Sequence, residues 1–257
     1  MSNQDLNRSM LSLLTNGFLL DCIYKKDFIN SICIEGGECT GTTTISKLIV
    51  EELRKINIPC EWTREPSEKC KKEFINKMTH DGSLMSPGEK TEYIIDIFMK
   101  DRKENQSKMD SSKLYICDRS IFSTIMYQSG ILDKNSTIED INNNFMLIKN
   151  YYDLYHIKMP KFIYILTSLP YKESKESTTD KEEFEKRFNL RKKSLDVDGM
   201  DDIEKYLHVN NEYSKLTENI HTNIYTDLIL RPIEHKQNLN LIVQQIKDEI
   251  IDVFYKK

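Results

Sequence analysis

The chain has 257 residues, 37 Lys+Arg against 41 Asp+Glu, and a formal net charge of −4. That balance argues against broad nonspecific nucleic-acid binding, which needs a basic excess. At 39% hydrophobic residues the chain can bury a core, so full disorder is excluded.

Alanine is absent altogether and Lys outnumbers Arg 29 to 8, the pattern of an A/T-rich coding sequence. Gly and Arg, eight each, are scarce, so their positions carry information. No apolar run is long enough to span a bilayer; Met10–Leu20 and Phe162–Leu166 are too short or too interrupted. The N-terminus fits neither a secretory signal nor a transit peptide. Six cysteines, at 22, 33, 39, 60, 70 and 117, form no CxxC pair and no metal-like spacing, which points to a reducing, cytoplasmic setting.

In chain order, residues 1–26 read as an N-terminal extension forming one helix, and residues 27–257 as a single domain. Phe28–Glu35 is a short apolar run ending in glycines, a buried strand. Thr42–Asn57 has helical spacing through Ile45, Leu48, Ile49, Leu53 and Ile56. Pro59–Arg64 reads as a second strand, Glu89–Arg102 as a helix, Leu114–Asp118 as a third strand and Phe122–Ser129 as the next helix. Lys161–Leu166 is a fourth strand, Asn223–Leu230 a fifth, and Glu234–Tyr255 a closing helix. Strands alternating with helices predict an α/β fold of three layers, a five-stranded parallel sheet with helices on both faces.

The first strand–turn–helix unit carries the clearest chemistry. Glu35-Gly36-Gly37-Glu38-Cys39-Thr40-Gly41-Thr42-Thr43-Thr44 has glycines at the spacing of a phosphate-binding loop, where backbone N–H groups meet phosphate at a helix N-terminus. Gly36 through Thr44 are therefore the candidate ATP-binding residues, and Thr43 stands where the Mg²⁺-binding hydroxyl belongs. Thr42 stands where such loops carry a lysine that offsets charge on the β- and γ-phosphates, and a threonine offers one neutral hydrogen bond instead. A strand-to-helix turn capped by threonines is the plainer reading of the same segment.

Three further segments extend the pattern. Thr63-Arg64-Glu65-Pro66 closes the second strand, Phe98-Met99-Lys100-Asp101-Arg102 lies on a helix, and Asp118-Arg119-Ser120 with Ser123-Thr124-Ile125-Met126-Tyr127-Gln128 closes the third strand. In this order and spacing the chain resembles the thymidylate kinase family, most specifically from Phe28 to Gly130. The resemblance implies a P-loop fold with a helical lid, ATP as phosphate donor, Mg²⁺ as cofactor and dTMP as acceptor. It assigns Arg64 and Arg119 to the acceptor phosphate, where a guanidinium gives a bidentate fork. It assigns Phe98 to stacking on thymine and Arg102 to the base or phosphate side. Glu38 falls near the sugar 3′-hydroxyl and metal, Ser123, Thr124 and Tyr127 in the base and sugar pocket, and Asp118 beside Mg²⁺.

Lys172–Asp202, highly charged, matches the lid, where Arg187 and Arg191 share a helix face and would stabilise transition-state charge with Arg119. With Lys192 and Lys193 they are the natural compensation for Thr42. Family analogy adds a homodimer, no nucleic-acid or membrane partner, and a cytoplasmic location, the host cytoplasm if the chain is virus-encoded. Three departures stand out: Cys39 replaces a loop glycine, Ser67 the glycine after TREP, and Ser120 the aromatic after Asp-Arg. Two alternatives follow. One is a catalytically impaired nucleotide-binding pseudokinase, suggested by Thr42. The other is a deoxynucleoside kinase, which would need Glu38 or Glu65 as a base toward a 5′-hydroxyl.

Overall fold

The computed structural model describes residues 2–26, 28–37, 40–167, 189, 203–221, 230–234 and 239–255. Among them run helix α1 (Asn3–Lys25), strand β1 (Phe28–Gly36), α2 (Thr42–Lys55), β2 (Cys60–Arg64), α3 (Glu68–Asp81) and α4 (Pro87–Ser107). Then follow β3 (Leu114–Asp118), α5 (Ile121–Gln128), α6 (Ile138–Leu154), β4 (Met159–Thr167), α7 (Ile203–His221), β5 (Leu230–Glu234) and α8 (Leu239–Phe254). The strands pair in the order β2-β3-β1-β4-β5, all parallel.

The two faces of this sheet follow strand alternation. Ile32, Ile34, Leu114, Ile116, Tyr164 and Leu166 point to one side, where α2 and α8 cover them with Ile45, Ile49, Leu53, Ile242, Ile246 and Ile250. Cys33, Tyr115, Cys117, Ile163 and Ile165 point to the other, under α1, α4, α5, α6 and α7. Near-continuous apolar strands are what a sheet buried on both faces requires.

The first 26 residues do contain the expected helix. Its Leu11, Phe18, Leu19 and Cys22 lie in the same core as α5, α6 and α7. The Phe18 ring meets Tyr152 edge-on at 4.8 Å. Arg8 forks onto Glu212 of α7 at 2.7 and 2.8 Å, and the Asn7 amide donates to the Ser136 carbonyl at 2.7 Å.

Several boundaries differ from the sequence reading. The fifth strand is described at Leu230–Glu234; of the expected Asn223–Leu230 only Leu230 is among the described residues. Pro232 is accommodated because β5 is the sheet edge, where a missing N–H is tolerated. Helices α3, α6 and α7 were not anticipated. Helix α3 buries only Cys70, so it has almost no apolar stripe to read. The lid segment Lys172–Asp202, with Arg187 and Arg191, lies outside the described residues apart from Asn189.

Candidate active site

The connections after β1 and β3 open at the C-terminal edge of the sheet, where open α/β sheets bind their ligands. Strands β1 and β3 are neighbours, with Ile34 opposite Asp118, so Gly36 and Arg119 arrive side by side.

Helix α2 starts without a side-chain cap and without an acidic residue in its first turn. Its first-turn N–H groups therefore remain available to an anion. Gly41, at φ 89°, turns the chain into the helix through the left-handed region that favours glycine. Thr40 folds its hydroxyl back onto the Gly37 carbonyl at 2.8 Å. Gly37 is required for a different reason: a Cβ there would lie 1.6 Å from Oδ1 of Asn210 on α7. Thr42 and Thr43 follow in the helix, Thr42 buried and carrying no charge, whereas Glu38 and Cys39 lie outside the described residues.

Thr43 donates its hydroxyl proton to Asp118 Oδ2 at 2.5 Å. Asp118 is 1% exposed, and its Oδ1 accepts no hydrogen bond among the described residues. A hydroxyl beside a buried carboxylate with a spare oxygen is a hard-oxygen donor pair. That pair fits Mg²⁺, which keeps several waters and takes one or two protein carboxylates plus substrate phosphates. Among the described residues no cluster of three or more His, Cys, Asp or Glu offers a closed metal cage.

Arg119 sits at φ 88°, an unusual conformation for a residue with a side chain and one that concentrates at functional sites. From there its Nη1 donates to the Gly36 carbonyl and its Nη2 to the Gly37 carbonyl at 3.5 Å. Arg64, at the end of β2, has Nε 3.9 Å from Asp118 Oδ2 and donates through Nη1 to Glu68 at 2.7 Å. Of the two arginines expected on the acceptor phosphate, Arg64 thus approaches Asp118, and Arg119 reaches the loop carbonyls, with Glu35 Oε2 3.9 Å from its Nη1.

Glu35 was not singled out from sequence, yet it anchors the floor. It is fully buried and accepts from Ser120 N (2.5 Å), Ser120 Oγ (2.6 Å) and Ser123 Oγ (2.7 Å), with the Ser123 amide at 3.2 Å. The Tyr213 hydroxyl of α7 lies 3.4 Å away. Burial, then the Glu35 charge, pushes the Tyr213 hydroxyl well above its ordinary range, so it stays a donor. Ser120, the departure from the family aromatic, is what supplies two of these bonds. The sequence signal for Glu35 was a carboxylate closing an otherwise apolar strand; Asn210 and Tyr213 had none, because their partners lie far away in the chain.

Ser123, expected to line the base and sugar pocket, is thus bonded to Glu35, Thr124 is buried, and Tyr127 packs edge-on against Tyr213 at 6.2 Å. Phe98 is half-buried and meets Phe74 of α3 at 6.2 Å. Arg102, expected beside the base, is 5% exposed; its Nε donates to Glu65 Oε2 at 2.5 Å and its Nη1 meets the Met99 sulfur at 3.6 Å. Burial pushes the Glu65 carboxyl above its usual range, and Arg102 opposes that rise.

A profile of the thymidylate kinase family matches residues 34–224. A curated thymidylate kinase from Synechococcus sp. is 33% identical over 102 residues, covering 38% of this chain and 48% of the relative. One from the onion yellows phytoplasma is 36% identical over 102 residues, with the same coverage of each chain. The chain thus spans about half the length of the curated relatives it matches. The crystal structure of thymidylate kinase from Ehrlichia chaffeensis superposes with a TM-score of 0.52 at 19% identity, over 87% of this chain and 98% of that one, and this likeness establishes the fold.

Proposed function

We propose that this chain, which belongs to the thymidylate kinase family, transfers the γ-phosphoryl group of ATP to dTMP, giving ADP and dTDP. The observation that carries the reading is that Arg64 and Thr43, in the first turn of α2, meet at Asp118, while the next residue, Arg119, reaches the carbonyls of Gly36 and Gly37. The acceptor phosphate is already a nucleophile, so it needs holding in line and no base.

In this reading the N–H groups of Gly41 to Thr44 hold the donor phosphates. Arg64 and Arg119 grip the acceptor phosphate, exchanging the carboxylate and carbonyl partners they have now. Phe98 offers its ring to the thymine. Thr43 and Asp118 would hold Mg²⁺, which when bound neutralises charge on the β- and γ-oxygens. Glu35 keeps the turn that carries Arg119 rigid through Ser120 and Ser123. Arg187 and Arg191 are proposed to supply the charge that Thr42 lacks.

A nucleoside acceptor would need a base. Glu65 is 5% exposed and already bonded to Arg102, which withdraws it from that role; Glu38, the other candidate, lies outside the described residues. We read the location as cytoplasmic, supported by five buried free thiols among the described residues, and the assembly as a homodimer, supported by family analogy. No helix among the described residues is long and apolar enough to cross a membrane.

The test is phosphate transfer from ATP to dTMP, dUMP and thymidine by the purified chain. Transfer to dTMP that Arg64→Ala reduces by about 10- to 100-fold, mostly through KM, supports the reading. Retained dTMP binding with no turnover selects the impaired kinase, and transfer to thymidine alone selects the nucleoside kinase. Sedimentation of the same sample tests the dimer.

A further inference from the structure

Helix α7 meets the phosphate loop and the turn that carries Arg119 within a single helical turn. Gly37 approaches Asn210 so closely that a Cβ on Gly37 would lie 1.6 Å from the Asn210 Oδ1. The Tyr213 hydroxyl lies 3.2 Å from Ser123 Oγ and 3.4 Å from Glu35 Oε2. Asn210 and Tyr213 are three apart, so they share one face of the helix. Glu212, two residues on from Asn210, falls on the far side. There Arg8 of α1 forks onto both carboxylate oxygens, at 2.7 and 2.8 Å, and the Glu212 side chain is 1% exposed. The guanidinium is oriented in turn by α1 itself. Its Nη1 donates to Asp5 Oδ1 at 2.7 Å, and Asp5 Oδ2 accepts from the Ser2 amide and hydroxyl, at 3.0 and 2.7 Å, in the capping box that starts the helix. One turn of α7 is thus gripped by α1 on one side and pressed against the phosphate loop on the other.

We infer that Arg8 is a positioning residue for the donor site: through Glu212 it fixes the Asn210–Tyr213 turn of α7 against Gly37 and Glu35, so that α1 holds the phosphate loop in its binding conformation. This rests on the kinase reading for the identity of the loop as the ATP site. The Gly37 carbonyl accepts from the Thr40 hydroxyl at 2.8 Å and from Arg119 Nη2 at 3.5 Å, so a shift of Gly37 moves both the loop and the arginine. The apolar core shared by Leu11, Phe18 and Leu19 of α1 with Val209, Tyr213 and Leu216 of α7 holds the helices together without direction. The two charge-assisted bonds from Arg8 to Glu212 do have direction, and they fix where α7 stands along that core. A displacement of about 1 Å caused far from the chemistry can cost on the order of 100-fold in rate. The loop floor, where Gly37 has no room to yield toward Asn210, transmits such a displacement directly.

The experiment measures the ATP dissociation constant by calorimetry without acceptor, KM for ATP and kcat with dTMP, and thermal unfolding. The variants are Arg8→Met, Arg8→Met combined with Glu212→Gln, and Ile250→Ala, all assayed at a temperature where each is folded. Ile250 lies in the core on the other face of the sheet, so its truncation lowers stability without touching α1 or α7. The double variant removes the stranded charge, so stability recovers while the tie between the helices stays absent; it carries the comparison if Arg8→Met fails to fold. Arg8→Met is expected to raise the ATP dissociation constant and the KM for ATP about tenfold, and the double variant to keep that rise within about twofold while regaining Tm. Ile250→Ala lowers Tm and leaves both ATP constants within about twofold of wild type. ATP constants that return to wild type together with Tm in the double variant overturn the inference, because they make Arg8 purely structural. Unchanged ATP constants in Arg8→Met overturn it, as does an equal rise in Ile250→Ala. Wild-type protein that binds no ATP also overturns it. Binding of ATP without transfer to dTMP overturns only the dTMP-kinase reading, since the ATP dissociation constants still decide the role of Arg8.

Discussion

Replacing Arg8 by Met tests whether α1 is a structural part of this fold. The Glu212 side chain is 1% exposed and receives two bonds from Arg8, at 2.7 and 2.8 Å. Removing Arg8 leaves a buried carboxylate whose remaining cation among the described residues is Lys215 at 4.0 Å. Breaking a buried pair from one side costs about 3–5 kcal/mol. Arg8 is itself 11% exposed and Lys215 can move closer, so the lower end, about 3 kcal/mol, is expected. For a domain of this size that lowers Tm by about 6–12 °C. The assay is thermal unfolding followed by circular dichroism, with urea titration to check that the m-value is unchanged. Adding Glu212→Gln removes the stranded charge and should recover at least half of the loss. Leu13→Ala, at a residue 70% exposed on the same helix, is the control and should move stability by less than about 0.5 kcal/mol. A shift below about 2 °C in Arg8→Met would refute the reasoning and make α1 an appendage.

Three other outcomes follow from the site. Thr42→Lys restores the charge that phosphate loops of this spacing carry, and kcat should rise about tenfold with little change in KM for dTMP, as steady-state assays will show; a folded variant with unchanged kcat would mean the charge is already fully supplied elsewhere. Asp118→Asn should raise the Mg²⁺ concentration needed for half-maximal transfer by on the order of tenfold or more, and chelation should stop transfer by the wild type; an unchanged Mg²⁺ titration would remove Asp118 from the metal site. Burial, with Asp101 nearby, pushes the Cys70 thiol up to about 12, so at pH 8 it stays protonated. Native protein treated with iodoacetamide should show no label there by peptide mass mapping, and label should appear only after unfolding.

The fold was legible where a pattern is local. Strand β3 is Leu114–Asp118 in both readings, because five consecutive buried residues leave nothing to interpret. Helix α2 announces itself by Ile45, Ile49 and Leu53 after glycines. Helices α6 and α7 also carry legible stripes, Ile141-Phe145-Ile148-Tyr152 and Val209-Tyr213-Leu216-Ile220. Helix α3 had none to read. The status of the first 26 residues was not legible at all. That Leu11 and Phe18 face α6 and α7 depends on partners more than 120 residues away.

The candidate site shows why motifs give residue types more reliably than directions. Phe98 and Arg102 are four apart, so helical spacing puts them on one face, and the family pattern aims both at a ligand. In the structure Phe98 is half-buried against Phe74, while Arg102 bonds a carboxylate 37 residues back in the chain. Whether a guanidinium serves ligand or protein is decided by the nearest uncompensated anion, and Glu65 is buried with no other cation bonded to it among the described residues. Arg119 shows the opposite case. Its nearest partners are carbonyls of the phosphate loop, neutral acceptors, and the buried Glu35 carboxylate stands farther off, at 3.9 Å from Nη1. Asp118 is intermediate, since one oxygen accepts from Thr43 and the other accepts no hydrogen bond among the described residues. The present partners therefore set what each arginine must give up to meet a ligand: loop carbonyls, with Glu35 at 3.9 Å, for Arg119, the exposed Glu68 for Arg64, and the buried Glu65 for Arg102.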